Sequence, residues 1–372
     1  MWQGILGHDR IAERFRQAAA KGRLNGSLLF VGPAGVGKAT FAYKLAHALL
    51  CQSRPEAALD PCNCCTACQL VLAGTHPDLH LVRKPPDKSF IPLEVFIGQR
   101  EHRMREGLIY ELGLKPFLGG RKIAIIDDAD YLHAESANCL LKTLEEPPPQ
   151  TLIILIGTSP ARQLPTIRSR CQLVRFQPLS AQIVEEILLR EGVVSDPTQA
   201  RRVALVSEGS LERARQLADP QLWSFRKTLW TALSQPRIDP LGLAEQVSSQ
   251  VESAGTEAAV RRQRLHVLVD MAAQYYRQVL YYHTGQSKGS AAGPAGIGIS
   301  TSGLSEGSER PMLFEPPELQ AIQNWSASLD IAADCLDRCL EAAVEIDRNA
   351  NLALLTEAWL VDLAQLQASS VG

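Results

Sequence analysis

The segment Gly32-Pro33-Ala34-Gly35-Val36-Gly37-Lys38 constrains this chain more than any other. It follows a short apolar run, Ser27-Leu28-Leu29-Phe30-Val31, which reads as a buried strand. It precedes Thr40–Leu50, where Phe41, Leu45, Ala48 and Leu49 recur at helical spacing. Strand, glycine-rich turn and helix in that order make a phosphate-binding loop. Glycines let the backbone wrap a phosphate with its N–H groups turned inward, and the helix N-terminus adds positive potential. Lys38 would reach the β- and γ-phosphates, so Gly32, Gly35, Gly37, Lys38 and Thr40 are the candidate ATP-binding residues. One position departs from the pattern. Ala39 stands where a Ser or Thr hydroxyl would hold Mg²⁺. Thr40 is one residue later, about 100° further round the helix, and should not substitute cleanly. Nucleotide can still bind through loop amides and Lys38, but weak or absent hydrolysis is the expectation.

The remaining pattern says what the loop is built into. Leu79–Val82, Lys122–Ile126, Thr151–Ile156 and Leu173–Phe176 are further strands, the central ones apolar without interruption. Between them lie helical patterns over 92–112 and Ala134–Leu144, with another helix over 5–21 at the start. Strands apolar on both faces and alternating with helices indicate a parallel sheet covered on both sides. After Pro178 only helical periodicity remains, first in three short segments (180–192, 197–207, 210–217), then in longer ones ending with Leu329–Gln367. Gly285–Pro317 is rich in Gly, Ser and Pro and reads as a disordered insertion. The expectation is α/β plus all-α: a P-loop domain over 1–178, a helical lid over 179–218 and a helical domain over 219–372. A length of 372 residues fits that division at ~150 residues per domain.

Ile123-Ala124-Ile125-Ile126-Asp127-Asp128 places carboxylates at the C-terminal end of a buried strand, where open α/β sheets bind ligands. Asp127 fits a Mg²⁺-binding role. Asp128 takes the place of the acid that polarises an attacking water, although it is one methylene shorter than the usual Glu. Asp130 reads as a helix cap or a solvated carboxylate.

Four of nine cysteines crowd into Cys62–Cys68. Cys62, Cys65 and Cys68, with Cys51 upstream, supply four soft thiolates suited to tetrahedral Zn²⁺. Four protein ligands leave no open coordination position, so the metal would be structural. Cys64 is extra and either replaces a ligand or stays free. Cys139, Cys171, Cys335 and Cys339 lie in apolar patterns and read as small hydrophobes.

Lys plus Arg is 38 and Asp plus Glu is 40, a formal net charge of −2. That argues against binding nucleic acid mainly by bulk positive charge. No run of about 18 apolar residues reads as a membrane span, and the N-terminus lacks a basic region followed by an apolar one. A cytoplasmic location is the expectation. Arg162, Arg168, Arg170 and Arg175 cluster without an intervening acid and face either a protein neighbour, DNA phosphate or solvent. Arg261, Arg262 and Arg264 read as a solvated helix face, and Tyr275, Tyr276, Tyr281 and Tyr282 as helix packing.

Three segments resemble the AAA+ subunits of the bacterial DNA polymerase III clamp loader. They are Gly22-Arg23-Leu24 with Leu29-Phe30-Val31-Gly32-Pro33, the run from Ser136 to Pro147 containing Leu140-Leu141-Lys142-Thr143-Leu144-Glu145-Glu146, and Leu164-Pro165-Thr166-Ile167-Arg168-Ser169-Arg170-Cys171. The resemblance is strong over 1–217 and weaker beyond, where Asn349–Glu357 resembles the family's collar region. It implies that Arg170 is an arginine finger reaching a neighbouring subunit's ATP, where an unrelated surface arginine would cap a strand or pair with a local acid. It implies that Thr158 is sensor 1 and that the cysteines form a small zinc module. Ala39, and Glu212 where a motor subunit carries Arg just after Gly209-Ser210-Leu211, resemble the delta-prime type. The lack of a long C-terminal extension points the same way. A subunit of that type works beside tau/gamma and delta-type partners in a hetero-oligomeric ring that places the sliding clamp on primer-template DNA. The rival readings are a tau/gamma-type ATPase motor and an unrelated P-loop NTPase of DNA repair.

Overall fold

The computed structural model describes residues 2–86, 88–103, 105–118, 120–286, 316–348 and 350–369. The expected insertion over 285–317 falls almost wholly outside them. The chain forms two compact units, Met1–Ile187 with Ser207–Glu212, and Leu188–Val206 with Arg213–Gly372. The segment read as a lid is thus divided between the two.

In chain order the first unit holds helix α1 (Asp9–Ala20), strand β1 (Gly26–Val31), α2 (Lys38–Leu50), α3 (Thr66–Leu72), β2 (Leu79–Val82), α4 (Glu94–Ile97), α5 (Leu108–Gly113), β3 (Lys122–Ile126), α6 (Ala134–Glu145), β4 (Thr151–Gly157), α7 (Pro165–Arg168) and β5 (Gln172–Arg175). All pairings are parallel, in the order β2-β3-β4-β1-β5. Alternate residues of one strand feed opposite cores. Leu28 and Phe30 of β1 join Phe15, Phe41, Leu45 and Ile154 on one face, while Leu29 and Val31 join Leu140, Leu144, Ile126 and Ile153 on the other. Burial on both faces is why these strands read as unbroken apolar runs. The fold is an α/β domain built on a parallel five-stranded sheet, with a glycine loop between β1 and α2.

The helical pattern over 92–112 forms two short helices, α4 and α5, instead of one. Gly98 and Gly107 have φ of 82° and 89°, a left-handed region that side chains disfavour. A Cβ on Gly107 would meet the Phe96 carbonyl carbon at 2.8 Å. Close backbone approach therefore breaks the helix, even though the apolar spacing survives.

Helices α8 (Ala181–Arg190) and α10 (Leu211–Leu217) each have residues in both units, and the second unit also holds α9 (Pro197–Val206), α11 (Pro220–Leu233), α12 (Pro240–Ser253), α13 (Ala258–Gln286), α14 (Pro316–Gln323), α15 (Leu329–Asp347) and α16 (Leu352–Ala368). The single helix expected over 329–367 is thus two, the second capped by the Asn351 side chain, which accepts from the Ala353 and Leu354 amides. Trp230, Tyr275, Tyr276 and Trp359 are fully buried among these helices. The indole N–H of Trp230 donates to the Met271 carbonyl at 2.9 Å. Tyr275 and Tyr276 are packing residues, whereas Tyr281 is exposed. Cys335 and Cys339 are core residues whose thiols burial pushes up to about 12. The arginines at 261–264 are half-buried and anchored rather than simply solvated. Arg261 donates to the Gly255 carbonyl at 2.8 Å and Arg264 to Asp219 at 3.0 Å. No helix among the described residues is long and apolar enough to cross a membrane.

Candidate functional site

The parallel sheet separates two edges. At its C-terminal edge β1 ends in the glycine loop, and α2 starts at Lys38 with Gly37 before it at φ 92°. Lys38 is only 7% exposed, and its ammonium donates to the carbonyls of Gly32 (2.7 Å) and Pro33 (2.6 Å). Burial lowers its pKa, while the charges of Asp127, Asp130 and Glu212 oppose that shift. Lys38 therefore lies among three carboxylates. Ala39 packs against the first core, whereas Thr40 is exposed. No hydroxyl stands at the position next to Lys38.

The loop is also held from outside. The Leu211 amide donates to the Gly35 carbonyl at 2.9 Å. Gly35 has φ 72°, and a Cβ there would meet Glu212 Cβ at 2.7 Å. Ser210 and Glu212 thus sit directly on the turn. On another side a ring nitrogen of His8, Nε2, lies 2.7 Å from the Val36 carbonyl.

Asp127 and Asp128 end β3 at the same edge, as expected. Asp127 is bound by an arginine that sequence reading did not single out: Arg83 Nη2 donates to its Oδ2 at 2.9 Å. Asp128 takes a left-handed conformation, φ 57°, and burial followed by the charge of Asp127 raises its carboxyl pKa. Thr158 follows β4 and joins the same edge. Asp130 differs most from expectation. It neither caps a helix nor lies free in solvent: its Oδ2 accepts the amide (2.8 Å) and hydroxyl (2.5 Å) of Thr158, and its Oδ1 accepts from Gln163. The only hint in the sequence was its spacing, three residues past Asp127.

Arg170 lies elsewhere. It precedes β5, whose Gln172 pairs with Leu28 and whose successor Phe176 bonds Val31 just before Gly32. Phe176 lies four residue steps beyond Gln172, about 13 Å along the sheet. Arg170 therefore sits at the N-terminal edge, out of reach of this chain's own glycine loop. Its Nε donates to Glu145 Oε2 at 2.8 Å and its Nη1 to the Thr166 carbonyl at 3.1 Å. Arg162, Arg168 and Arg175 are exposed.

The cysteines form a separate centre. The sulfurs of Cys51, Cys62, Cys65 and Cys68 all lie within 4.8 Å of one another, and Cys62 and Cys68 are 3.9 Å apart. Tetrahedral bonds of 2.3 Å require sulfurs about 3.8 Å apart, so the set fits a metal ion. The Cys65 amide donates to Cys62 Sγ at 3.2 Å and the Cys62 amide to Cys51 Sγ at 3.4 Å. Backbone N–H groups of Cys64 and Cys65 pull the Cys62 thiol down to about 5. Cys64 is exposed and lies outside the set, and the hydrogen bond with Cys62, then the Cys62 charge, raises its thiol.

Residues 7–180 match the family model described as DNA polymerase III, delta subunit. The delta-prime subunit of DNA polymerase III from Bacillus subtilis is 36% identical over 203 residues, 55% of this chain and 57% of that protein. The Pseudomonas aeruginosa delta-prime subunit is 38% identical over 181 residues, 49% of this chain and 52% of that protein. The Escherichia coli tau subunit follows at 30% over 224 residues, 59% of this chain and 33% of that protein. The chain thus spans little more than half the length of the delta-prime relatives it matches. A solved DNA polymerase III gamma-subunit-related protein from Thermotoga maritima covers 97% of this chain and all of its own at 18% identity, with a TM-score of 0.39. Residues 7–180 of this chain are thus similar to the DNA polymerase III delta-subunit family, with delta-prime subunits among the relatives they resemble.

Proposed function

We propose that this chain is a delta-prime-type subunit of a DNA polymerase III clamp loader, acting in the cytoplasm as a stator that presents Arg170 to the ATP of a neighbouring subunit. One observation carries the reading: Arg170 stands at the opposite edge of the sheet from the chain's own glycine loop. An arginine finger there serves a neighbour or nothing. The chain's own site is poorly equipped for hydrolysis. Ala39 provides no hydroxyl for Mg²⁺, Asp127 is engaged by Arg83, and Glu212 places a negative charge near Lys38. These features weigh against a tau/gamma-type motor, for which Lys38, Asp127 and Thr158 alone would speak.

The expected partners are tau/gamma and delta-type subunits in a ring, joined through the C-terminal helices, with the sliding clamp and primed DNA engaged by the assembly. Cys51, Cys62, Cys65 and Cys68 would hold one Zn²⁺, which cross-links the turn after α2 to α3. Arg170→Ala should abolish ATP hydrolysis by the assembled complex and leave the isolated chain's Mg-ATP turnover unchanged and near zero. Unaltered turnover of the complex would overturn the stator reading, and substantial turnover by the purified chain would favour the motor.

A further inference from the structure

The geometry points to Glu145 as the positioning residue that presents Arg170. This inference rests on the reading of Arg170 as a trans finger. Glu145 is the last residue of α6, followed by Glu146 and three prolines. Helix termini of this polarity disfavour acids, because the last carbonyls carry partial negative charge. An acid here meets an unfavourable local field, and a cation beside it offsets that. Arg170 is the cation, through the 2.8 Å bond from its Nε to Glu145 Oε2.

The bond fixes more than charge. A guanidinium has five N–H donors in one rigid plane. Glu145 takes the Nε donor, and the Thr166 carbonyl takes one on Nη1. Nη2 has no hydrogen-bond partner among the described residues. Two anchors in one plane orient the group and leave the Nη2 side open to an incoming phosphate. The segment leading to Arg170 is fixed at its other end too, where the buried Gln163 side chain is held by Asp130. Glu145 itself is 59% exposed, so the pair adds little to stability. A strong effect of its removal on turnover would therefore report positioning rather than folding.

The test uses the reconstituted complex with this chain as the varied subunit. Glu145→Ala should lower kcat for ATP at least ten-fold, leave KM for ATP within two-fold and leave assembly and the chain's melting temperature nearly unchanged. Glu145→Gln, which keeps an acceptor for Nε, should recover part of the loss. Glu145→Ala combined with Arg170→Ala should be no slower than Arg170→Ala alone. Turnover within two-fold of wild type for Glu145→Ala, in a complex that Arg170→Ala inactivates, would overturn the inference and leave the stator reading standing. Full activity of Arg170→Ala would instead remove the reading on which both rest.

Discussion

Thr158 donates both its amide and its hydroxyl to one carboxylate oxygen of Asp130, at 2.8 and 2.5 Å. The other oxygen accepts from Gln163. The residue just after β4 is thereby tied to the turn after β3, and the chain toward Arg170 starts from the same carboxylate. Asp130→Ala would leave two donors of half-buried Thr158 and one of buried Gln163 without this acceptor. Hydrogen bonds to charged groups contribute about 1.5–3 kcal/mol and orphaned donors cost comparable amounts. Urea unfolding should show a loss of about 2–4 kcal/mol, with Asp130→Asn losing less. A loss below about 0.5 kcal/mol would show the network to be energetically idle.

Much of this was legible in the sequence because it is periodic or local. Strands β1, β3 and β4 are buried on both faces, so their apolar runs mark them unambiguously. The glycine loop and the Cys62–Cys68 spacing are written in contiguous residues. What stayed hidden depends on contacts distant in sequence. Arg83 reaches Asp127 across 44 positions, Asp130 reaches Thr158 across 28, and Glu145 reaches Arg170 across 25. Composition does not record such pairings. The break between α4 and α5 was hidden because apolar spacing continues through it while Gly98 and Gly107 turn the backbone.

The electrostatics of the glycine loop predict how its affinity can be changed. Lys38 is surrounded by Asp127, Asp130 and Glu212, and Glu212 lies against Gly35. Replacing Glu212 by Arg exchanges a repelling charge for an attracting one beside the phosphates. Mg-ATP binding by Glu212→Arg should tighten at least ten-fold, about 1.4 kcal/mol, measured by titration calorimetry. Ala39→Thr alone restores a Mg²⁺ ligand but no charge and should tighten binding less. Equal affinity of Glu212→Arg and wild type would show that Glu212 does not face the bound phosphates.

The cysteine centre predicts metal content residue by residue. Four thiol sulfurs lie within 4.8 Å of one another, and Cys64 is not among them. Purified protein should carry one zinc per chain by elemental analysis. Cys64→Ser should retain it, while Cys65→Ser and Cys68→Ser should lose most of it. Loss of zinc removes a cross-link between the turn after α2 and α3, so a strong chelator should lower the unfolding midpoint of the N-terminal unit. Zinc loss in Cys64→Ser would place that thiol among the ligands.

Acid should weaken the first unit before its carboxylates titrate. Burial lowers the pKa of His8, His76 and His80 below the ordinary value of 6.5. The hydrogen bond to the Val36 carbonyl, then the Asp9 charge, opposes the shift at His8 and Asp78 opposes it at His76, whereas at His80 Lys122 adds to it against Glu111 and Asp78. His76 gives the clearest case, since its Nδ1 accepts the Asp78 amide at 3.1 Å and can do so only when unprotonated. Each such ring holds a proton less readily in the folded chain than in the unfolded one. The unfolded state then binds more protons, so stability rises with pH and falls as pH drops from about 7 toward 5. The slope is bounded at about 1.4 kcal/mol per pH unit for each histidine. His76→Asn supplies an acceptor that does not titrate. Urea midpoints at pH 7.5 and 5.5 should differ less for His76→Asn than for wild type. An unchanged difference would assign the acid sensitivity to groups other than His76.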